Sequence, residues 1–375
     1  FGSSHFGSSC LALIAAPPGG TGECSGGSMA YQARELARLG YQFVEGPSGK
    51  PSDLLLRNKD DPQKGFEWRG QADYDAVGEA AFACIQGLLV SRFGLEALPL
   101  PASGHGDAHA VVYATPGLVE QTAPLLMLVC GAPPGGAAGV WARSLCMNGS
   151  THEGAMFDYI LRARQMGWSV LVANPNANDV AGTPIEGSES PHLHLQTLWR
   201  SYVAPSAASY VMIVAHSYGA PSTVHLFKTE ARATDRVRAI AFTDAWVTPP
   251  GTLLCEVVPE SSGDGSQADN GAARLARYAE LAPAAFQPGS ADLAAWLAQV
   301  GRDFTADQRP AGTPVAADRR GVPAVSAGHE KHVSTTQSAV EVVFAFLQEG
   351  VEGRAAESNA ELRTRCPPTE PGRDA

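Results

Sequence analysis

The chain is poor in charge: only 17% of its 375 residues are Asp, Glu, Lys or Arg, and the balance is acidic, with a net charge of −11. Basic residues never cluster beyond the pair Arg319-Arg320. That argues against a broad nucleic-acid footprint, which depends on neutralising many phosphates with grouped Lys and Arg. Long apolar runs are also missing. None approaches the ~20 residues needed to cross a bilayer as a helix, so no membrane anchor is expected. The seven cysteines form no C-x-x-C pair and no zinc-ligand spacing, and their number is odd. This usage points to a reduced intracellular compartment, nuclear or cytoplasmic, rather than to a disulfide framework. No cofactor is expected either. The Gly-rich stretch at 19–28 lacks the Gly-Lys-Ser/Thr ending of a phosphate loop, and the loop Gly131 to Gly139 does not meet G-x-G-x-x-G.

What the chain has in quantity is apolar residues, 44%, with 40 Gly and 27 Pro. That is enough to bury a substantial core. Residues 1–28 are rich in Gly, Ser and Pro without periodicity and are expected to be a disordered leader, with CLALIAA at Cys10 to Ala16 as its apolar remnant. One folded domain is expected over 29–350, and the charged, Pro-containing residues 351–375 are expected to be a disordered tail.

Within that domain, hydrophobic patterning alternates between strands and helices. A helix at Ala30 to Leu39 precedes a hairpin near Tyr41 to Gly49, and apolar residues from Tyr74 to Phe93 recur at helical spacing. Strands are predicted at His109 to Ala114, Pro124 to Cys130, Trp168 to Ala173, Tyr210 to Ala215, Val237 to Thr243 and Val322 to Ser326. Helices are predicted between or after them at 155–166, 193–202, 272–283, 290–301 and 335–347, with an irregular insertion at 249–271. This order predicts an α/β fold: a doubly wound, mostly parallel sheet with flanking helices. His105, Asp107 and His109 alternate as ligands on a strand can, but no further ligand cluster lies near them and no metal site is assigned. His192 and His194, at a helix entry, read as solvated.

The organising stretch is VMIVAHSYGA, Val211 to Ala220. A β-branched apolar run gives way at His216 to a serine between small residues, and the apolar positions Val224, Leu226 and Phe227 then follow helical spacing. A strand, a sharp turn and a helix with Ser at the apex is the nucleophile elbow of α/β-hydrolases, where small neighbours relieve crowding around a strained, exposed hydroxyl. Ala215 stands in place of the first glycine of G-x-S-x-G, and Gly219 is the second. Open α/β sheets collect their chemistry at the carboxyl ends of strands. There the sequence places Asp244, after VRAIAFT, and His332, in the loop GHEKH. Ser217, Asp244 and His332 follow the hydrolase order of nucleophile, acid and base. The hydroxyl needs an imidazole to take its proton, and the imidazole needs a carboxylate to hold its tautomer. Backbone N–H groups at Tyr218 and near Ala132 are the expected oxyanion donors.

Five segments in order, LMLVCGAPPGGAAGVWARSL, GWSVLVANPNAN, VMIVAHSYGA, AIAFTDA and VPAVSAGHEKH, resemble successive motifs of the Arb-two (argonaute-binding protein two) domain family, a branch of the α/β-hydrolase superfamily. The opening YQFVEGPSGKP and the helix carrying Tyr74 and Gly78 resemble that family's start, so the likeness covers about 31–350. The resemblance implies a hydrolase-type fold and a regulatory role in RNA silencing, heterochromatin or RNA processing. That role would run through protein partners such as Argonaute or chromatin factors, without direct nucleic-acid binding. It places the family's serine on Ser217, its Thr-Asp acid on Asp244 and its Ser-Ala-Gly-x-x-x-His histidine on His332, with His329 at a variable position. Cys130 stands where members often carry His, and Ala220 where they carry Gly. The alternative is an active serine esterase or hydrolase on an unknown ester or acyl substrate.

Overall fold

A computed structural model describes residues 25–102, 108–132, 134–245, 291–316 and 321–365. The expected leader, the insertion at 249–271, the helix at 272–283, and His105 and Asp107 lie wholly or almost wholly outside those residues.

Helix α1 (Ser25–Arg38) leads into a hairpin of β1 (Tyr41–Glu45) and β2 (Leu54–Asn58), and α2 (Gln71–Ser91) crosses to the main sheet. The sheet is entered through β3 (Glu96–Leu100), β4 (Ala110–Ala114) and β5 (Leu125–Val129). The chain then forms α3 (Arg143–Asn148), α4 (Thr151–Gly154), α5 (Phe157–Gln165) and β6 (Ser169–Val172). A small hairpin, β7 (Asp179–Val180) and β8 (Thr183–Pro184), precedes α6 (Pro191–Leu198), which a π-turn prolongs over Trp199–Val203. β9 (Val211–His216), α7 (Gly219–Thr229) and β10 (Val237–Thr243) form the centre. α8 (Ala291–Val300), β11 (Gly301–Thr305), β12 (Pro314–Val315) and β13 (Ala324–Ser326) follow. The described chain closes with α9 (Thr335–Ser338), α10 (Val340–Val351) and α11 (Ala355–Arg365).

Nine of these strands make one sheet in the order β12-β13-β11-β10-β9-β5-β6-β4-β3. The pairings β6-β5-β9-β10-β11-β13 are parallel, while β3, β4 and β12 join antiparallel at the edges. The α/β-hydrolase-type fold follows from this doubly wound topology. Its parallel strands read as continuous apolar runs because helices cover both faces.

Alternate residues of one strand enter opposite cores, as the strand period of two requires. Leu126, Leu128, Met212 and Val214 pack with Ile85, Phe157, Ile160 and Phe344 on one face. Leu125, Met127, Ile213 and Ala215 pack with Leu195, Leu198, Leu226 and Leu297 on the other. Each fully buried Leu or Ile stabilises the fold by about 1.5–3 kcal/mol. A one-residue slip of β9 would exchange the two faces and carry Ser217 away from the site.

Five strands, β3, β7, β8, β11 and β12, lie outside the strands predicted from sequence, and two of them are instructive. β3 contains Pro99, a residue that ordinarily breaks a strand, yet an edge strand tolerates proline because one side of its ladder needs no donor. β11 carries the buried charges Arg302 and Asp303 in a five-residue run, so its apolar signal is weak. The tail also departs. Residues 355–365 are helical because Arg302 donates to Asn359 Oδ1 at 3.0 Å and Ser358 Oγ at 2.8 Å, and Asn359 donates to the carbonyls of Gln299 and Gly301. These bonds satisfy a buried guanidinium, and they tie an otherwise polar helix to the sheet.

Candidate active site

Ser217 is delivered by β9, whose residues from Val211 to His216 are all buried. Its φ of 52° lies in the left-handed region that a residue with a Cβ seldom occupies. Close packing sustains this conformation. A Cβ at Gly219 would stand 2.8 Å from the carbonyl oxygens of Val129 and Cys130, so α7 starts hard against β5 only because that residue has no side chain. Similarly, a Cβ at Gly131 would lie 2.9 Å from that of Ser217. The Ser217 N–H donates to the Thr243 carbonyl at 3.2 Å, fixing the elbow to the neighbouring strand end.

Asp244 follows β10 and is itself left-handed, with φ 49°. Its Oδ1 accepts the Ala306 N–H at 3.0 Å, and its Oδ2 meets His332 Nδ1 at 2.6 Å. Burial alone would raise the Asp244 carboxyl, but the bonds from His332 and Ala306 outweigh it and hold the group below its ordinary 3.8. The carboxylate therefore fixes the Nδ1–H tautomer of His332, leaving Nε2 as the proton acceptor. His329 takes no part: its Nδ1 accepts the Lys331 N–H at 3.0 Å.

Ser217, His332, Gly131 and Ala132 line one cavity of about 310 Å³. The structure thus gathers the predicted nucleophile, acid and base beyond the carboxyl ends of β9, β10 and β13 of one sheet. Among the described residues no hydrogen bond joins the Ser217 hydroxyl to His332. Such bonds are often loose without substrate.

The predicted oxyanion positions occupy the mouths of two elements. Tyr218 caps the start of α7 immediately after the nucleophile, and Ala132 is the second residue of the glycine loop after β5. The Ala132 N–H donates to no group among the described residues, whereas its carbonyl accepts from Gly136 at 3.2 Å. Asn176 pins this loop by donating to the carbonyls of Gly131 and Gly136, both at 2.8 Å. Asn174 assists, accepting the Ala138 N–H at 3.3 Å. The sequence presents Asn174-Pro175-Asn176 only as a strand stop, so this role was not foreseen.

His216 was also missed. Its ring lies 4.8 Å from that of His332, stacked at 27°. Nδ1 is 2.9 Å from the Thr243 carbonyl, which can only accept, so that nitrogen carries the hydrogen. Burial, reinforced by the nearby His332, pushes His216 down to about 3. It remains a neutral shelf beneath His332, and a proton gained by His332 meets no second cation there.

The expectation that His192 and His194 are solvated is corrected: they are 4% and 0% exposed. His194 Nδ1 lies 2.8 Å from Ser188 Oγ, and its Nε2 accepts the Asn174 N–H at 3.1 Å, which makes it part of the support beneath the glycine loop. Cys130 is buried and pushed up to about 12 by desolvation, so it is no alternative nucleophile. Among the described residues no group of three or more His, Cys, Asp or Glu is placed to hold a metal.

Residues 33–181 match the Arb2 domain. This stretch of the chain is similar to that domain. The matched segment contains the hairpin, α2, the glycine loop and β6; Ser217, Asp244 and His332 lie beyond it. The chain is 34% identical over 212 residues to the FAM172 family protein homolog of Caenorhabditis elegans, an alignment covering 56% of this chain and 64% of the relative. It is 27% identical to the cotranscriptional regulator ARB2A homolog of Dictyostelium discoideum, covering 51% and 57%. It is 22% identical to the human cotranscriptional regulator ARB2A, covering 76% and 73%. The nematode and slime-mould alignments thus span less than two thirds of those relatives. Among solved structures, a histone deacetylase from Saccharomyces cerevisiae aligns over 76% of this chain and 100% of its own at 13% identity and TM-score 0.43. AbyA5 aligns over 78% and 82% at 12% identity and TM-score 0.47.

Proposed function

We propose that this protein is an Arb2-domain regulatory factor working through protein partners in RNA processing, RNA silencing or heterochromatin, and that its elbow site is a working serine hydrolase centre. The regulatory part is supported by relatives named cotranscriptional regulators. It implies nuclear action with a partner such as Argonaute or a chromatin factor. Among the described residues no helix is long and apolar enough to cross a membrane. Affinity capture of the tagged full chain from nuclear extract, with identification by mass spectrometry, should return such a factor; recovery of neither class would count against this part.

The observation that carries the catalytic part is the 2.6 Å Asp244–His332 contact on the cavity that holds a left-handed Ser217. A domain used only as a scaffold has no need of an elbow strained at the serine and a base oriented by a carboxylate. In the reaction, Ser217 Oγ attacks the carbonyl carbon of an ester while His332 Nε2 takes the hydroxyl proton. The N–H groups at Ala132 and Tyr218 receive the oxyanion. The C–O bond to the alcohol then breaks, and His332 returns its proton to that leaving oxygen. Water attacks the acyl-Ser217, giving one proton to His332, which passes it to Ser217 Oγ as the acid departs. Hydrolysis of a short p-nitrophenyl ester should be saturable and lost in Ser217→Ala; equal rates in both proteins would refute a Ser217 centre.

A further inference from the structure

The cavity that holds Ser217 also contains a buried guanidinium. Arg143 opens α3 directly after the glycine loop and is 6% exposed, yet it lines the cavity with Ser217 and His332. It lies 4.4 Å from the centroid of the Tyr74 ring, and Nη1 is 2.8 Å from Asp75 Oδ1. The geometry points to Arg143 as a recognition group for substrates whose acyl or alcohol part carries a compact anion, a carboxylate or phosphate. This assignment rests on the hydrolase reading of the same site.

Three features separate Arg143 from a purely structural ion pair. First, the pairing is lopsided: the Arg143 side chain is 7% exposed but that of Asp75 is 44% exposed. The carboxylate engages one guanidinium nitrogen, and among the described residues the other N–H groups have no acceptor. A guanidinium does not shed its charge, and since no Arg143 nitrogen is sealed from solvent without a partner, those donors are open to an acceptor from outside the fold. Second, among the described residues no Asp or Glu lines the cavity, and the same wall adds Trp141, whose buried indole N–H has no partner among them. Third, the arginine is preorganised. Tyr74 backs its plane, its own N–H donates to Gly135 at 2.9 Å, and α2 leaves room for it at Gly78, where a Cβ would stand 2.7 Å from Arg143 Cδ. A planar fork held in this way suits bidentate oxyanion binding. The chain's net charge of −11 gives no long-range attraction for an anion, so selection is local to this wall.

The test is equilibrium binding to the full chain carrying Ser217→Ala, which cannot turn the ligand over. Calorimetric titration would compare monomethyl succinate, its neutral dimethyl ester, and phenyl phosphate. We expect either anion to bind at least about tenfold tighter than the diester, the effect of a single charge-assisted pair, and the preference to disappear in Arg143→Gln. The tighter of the two anions names the source, carboxylate or phosphate. A second variant does not depend on Arg143→Gln folding: Asp75→Asn keeps the arginine and removes its competing carboxylate, so anion binding should strengthen by about tenfold. If neither anion binds more tightly than the diester, or Asp75→Asn leaves their affinity unchanged, the assignment is overturned. Failure of the catalytic reading looks different: Arg143-dependent anion binding would persist while the wild type cleaved neither p-nitrophenyl acetate nor its hemisuccinate analogue.

Discussion

The two halves of the candidate site are built by opposite means. On the nucleophile side, Ser217 sits between a fully buried strand and a helix whose first residue, Gly219, presses on two backbone carbonyls. On the acid–base side, the His332 side chain is 45% exposed and is held by one carboxylate and one stacked ring. The first half takes its geometry from packing that also stabilises the fold, so it cannot be loosened without cost to stability. The second takes its geometry from contacts near the surface that contribute little to stability but decide the proton transfer. The same protein should therefore contain variants that lose chemistry without stability and variants that lose both.

Removing the base should sharpen this contrast most. His332→Ala is expected to lower kcat by about 10⁴-fold or more, the scale of triad knock-outs, while its unfolding free energy falls by no more than about 1 kcal/mol, the scale of one partly exposed ion pair. Denaturant titration beside ester kinetics checks both numbers; a large stability loss would mean that the exposed half is as structural as the buried one. Acid should act on the buried half next. Folding keeps His216 and His194 near 3 and His192 near 4, against 6.5 when unfolded. Between those values the unfolded chain binds more protons than the folded one, so stability falls as pH drops below 6.5, by up to about 1.4 kcal/mol per pH unit for each histidine. Asp244 acts in the same direction but in a lower window, since its stabilising bonds persist above 3.8 and are lost as pH falls from there through its lowered value. Denaturant midpoints from pH 7 to 4 should thus decline steadily, and His194→Gln should flatten the slope.

Gly219→Val tests the buried half directly. Its added methyls meet backbone rather than a yielding side chain, so it should cost about 1–3 kcal/mol and reduce activity together with stability, read by thermal melts and kinetics. The smallest effect is expected at Asn176→Ala, which leaves two loop carbonyls without their shared donor. It should cost about 1–2 kcal/mol and lower kcat more than it changes KM, because the glycine loop would be less well held for the oxyanion.

Much of the fold was legible because its parallel strands are uninterrupted apolar runs, and β10 coincides with its predicted span of Val237 to Thr243. The sequence hid what depends on distant partners. β11 is short and charged because Arg302 is satisfied from α11, far along the chain. His192 and His194 looked solvated because polarity alone does not reveal that a ring will be sealed by neighbouring elements. The elbow was legible from local pattern, and Asp244 and His332 from their order at strand ends. By contrast, His216, Asn176 and Arg143 carry no local signal, since each acquires its role only when the sheet brings β5, β6, β9 and β10 to one edge.

The measurement that bears most directly on this account is fluorophosphonate labelling of the purified full chain, with the modified residue located by peptide mass spectrometry. Activation of Ser217 by a base held on Asp244 predicts covalent phosphonylation of Ser217, absent in Ser217→Ala and His332→Ala and strongly slowed in Asp244→Asn. A folded wild-type protein that remains unlabelled, or that labels equally well without His332, would contradict it.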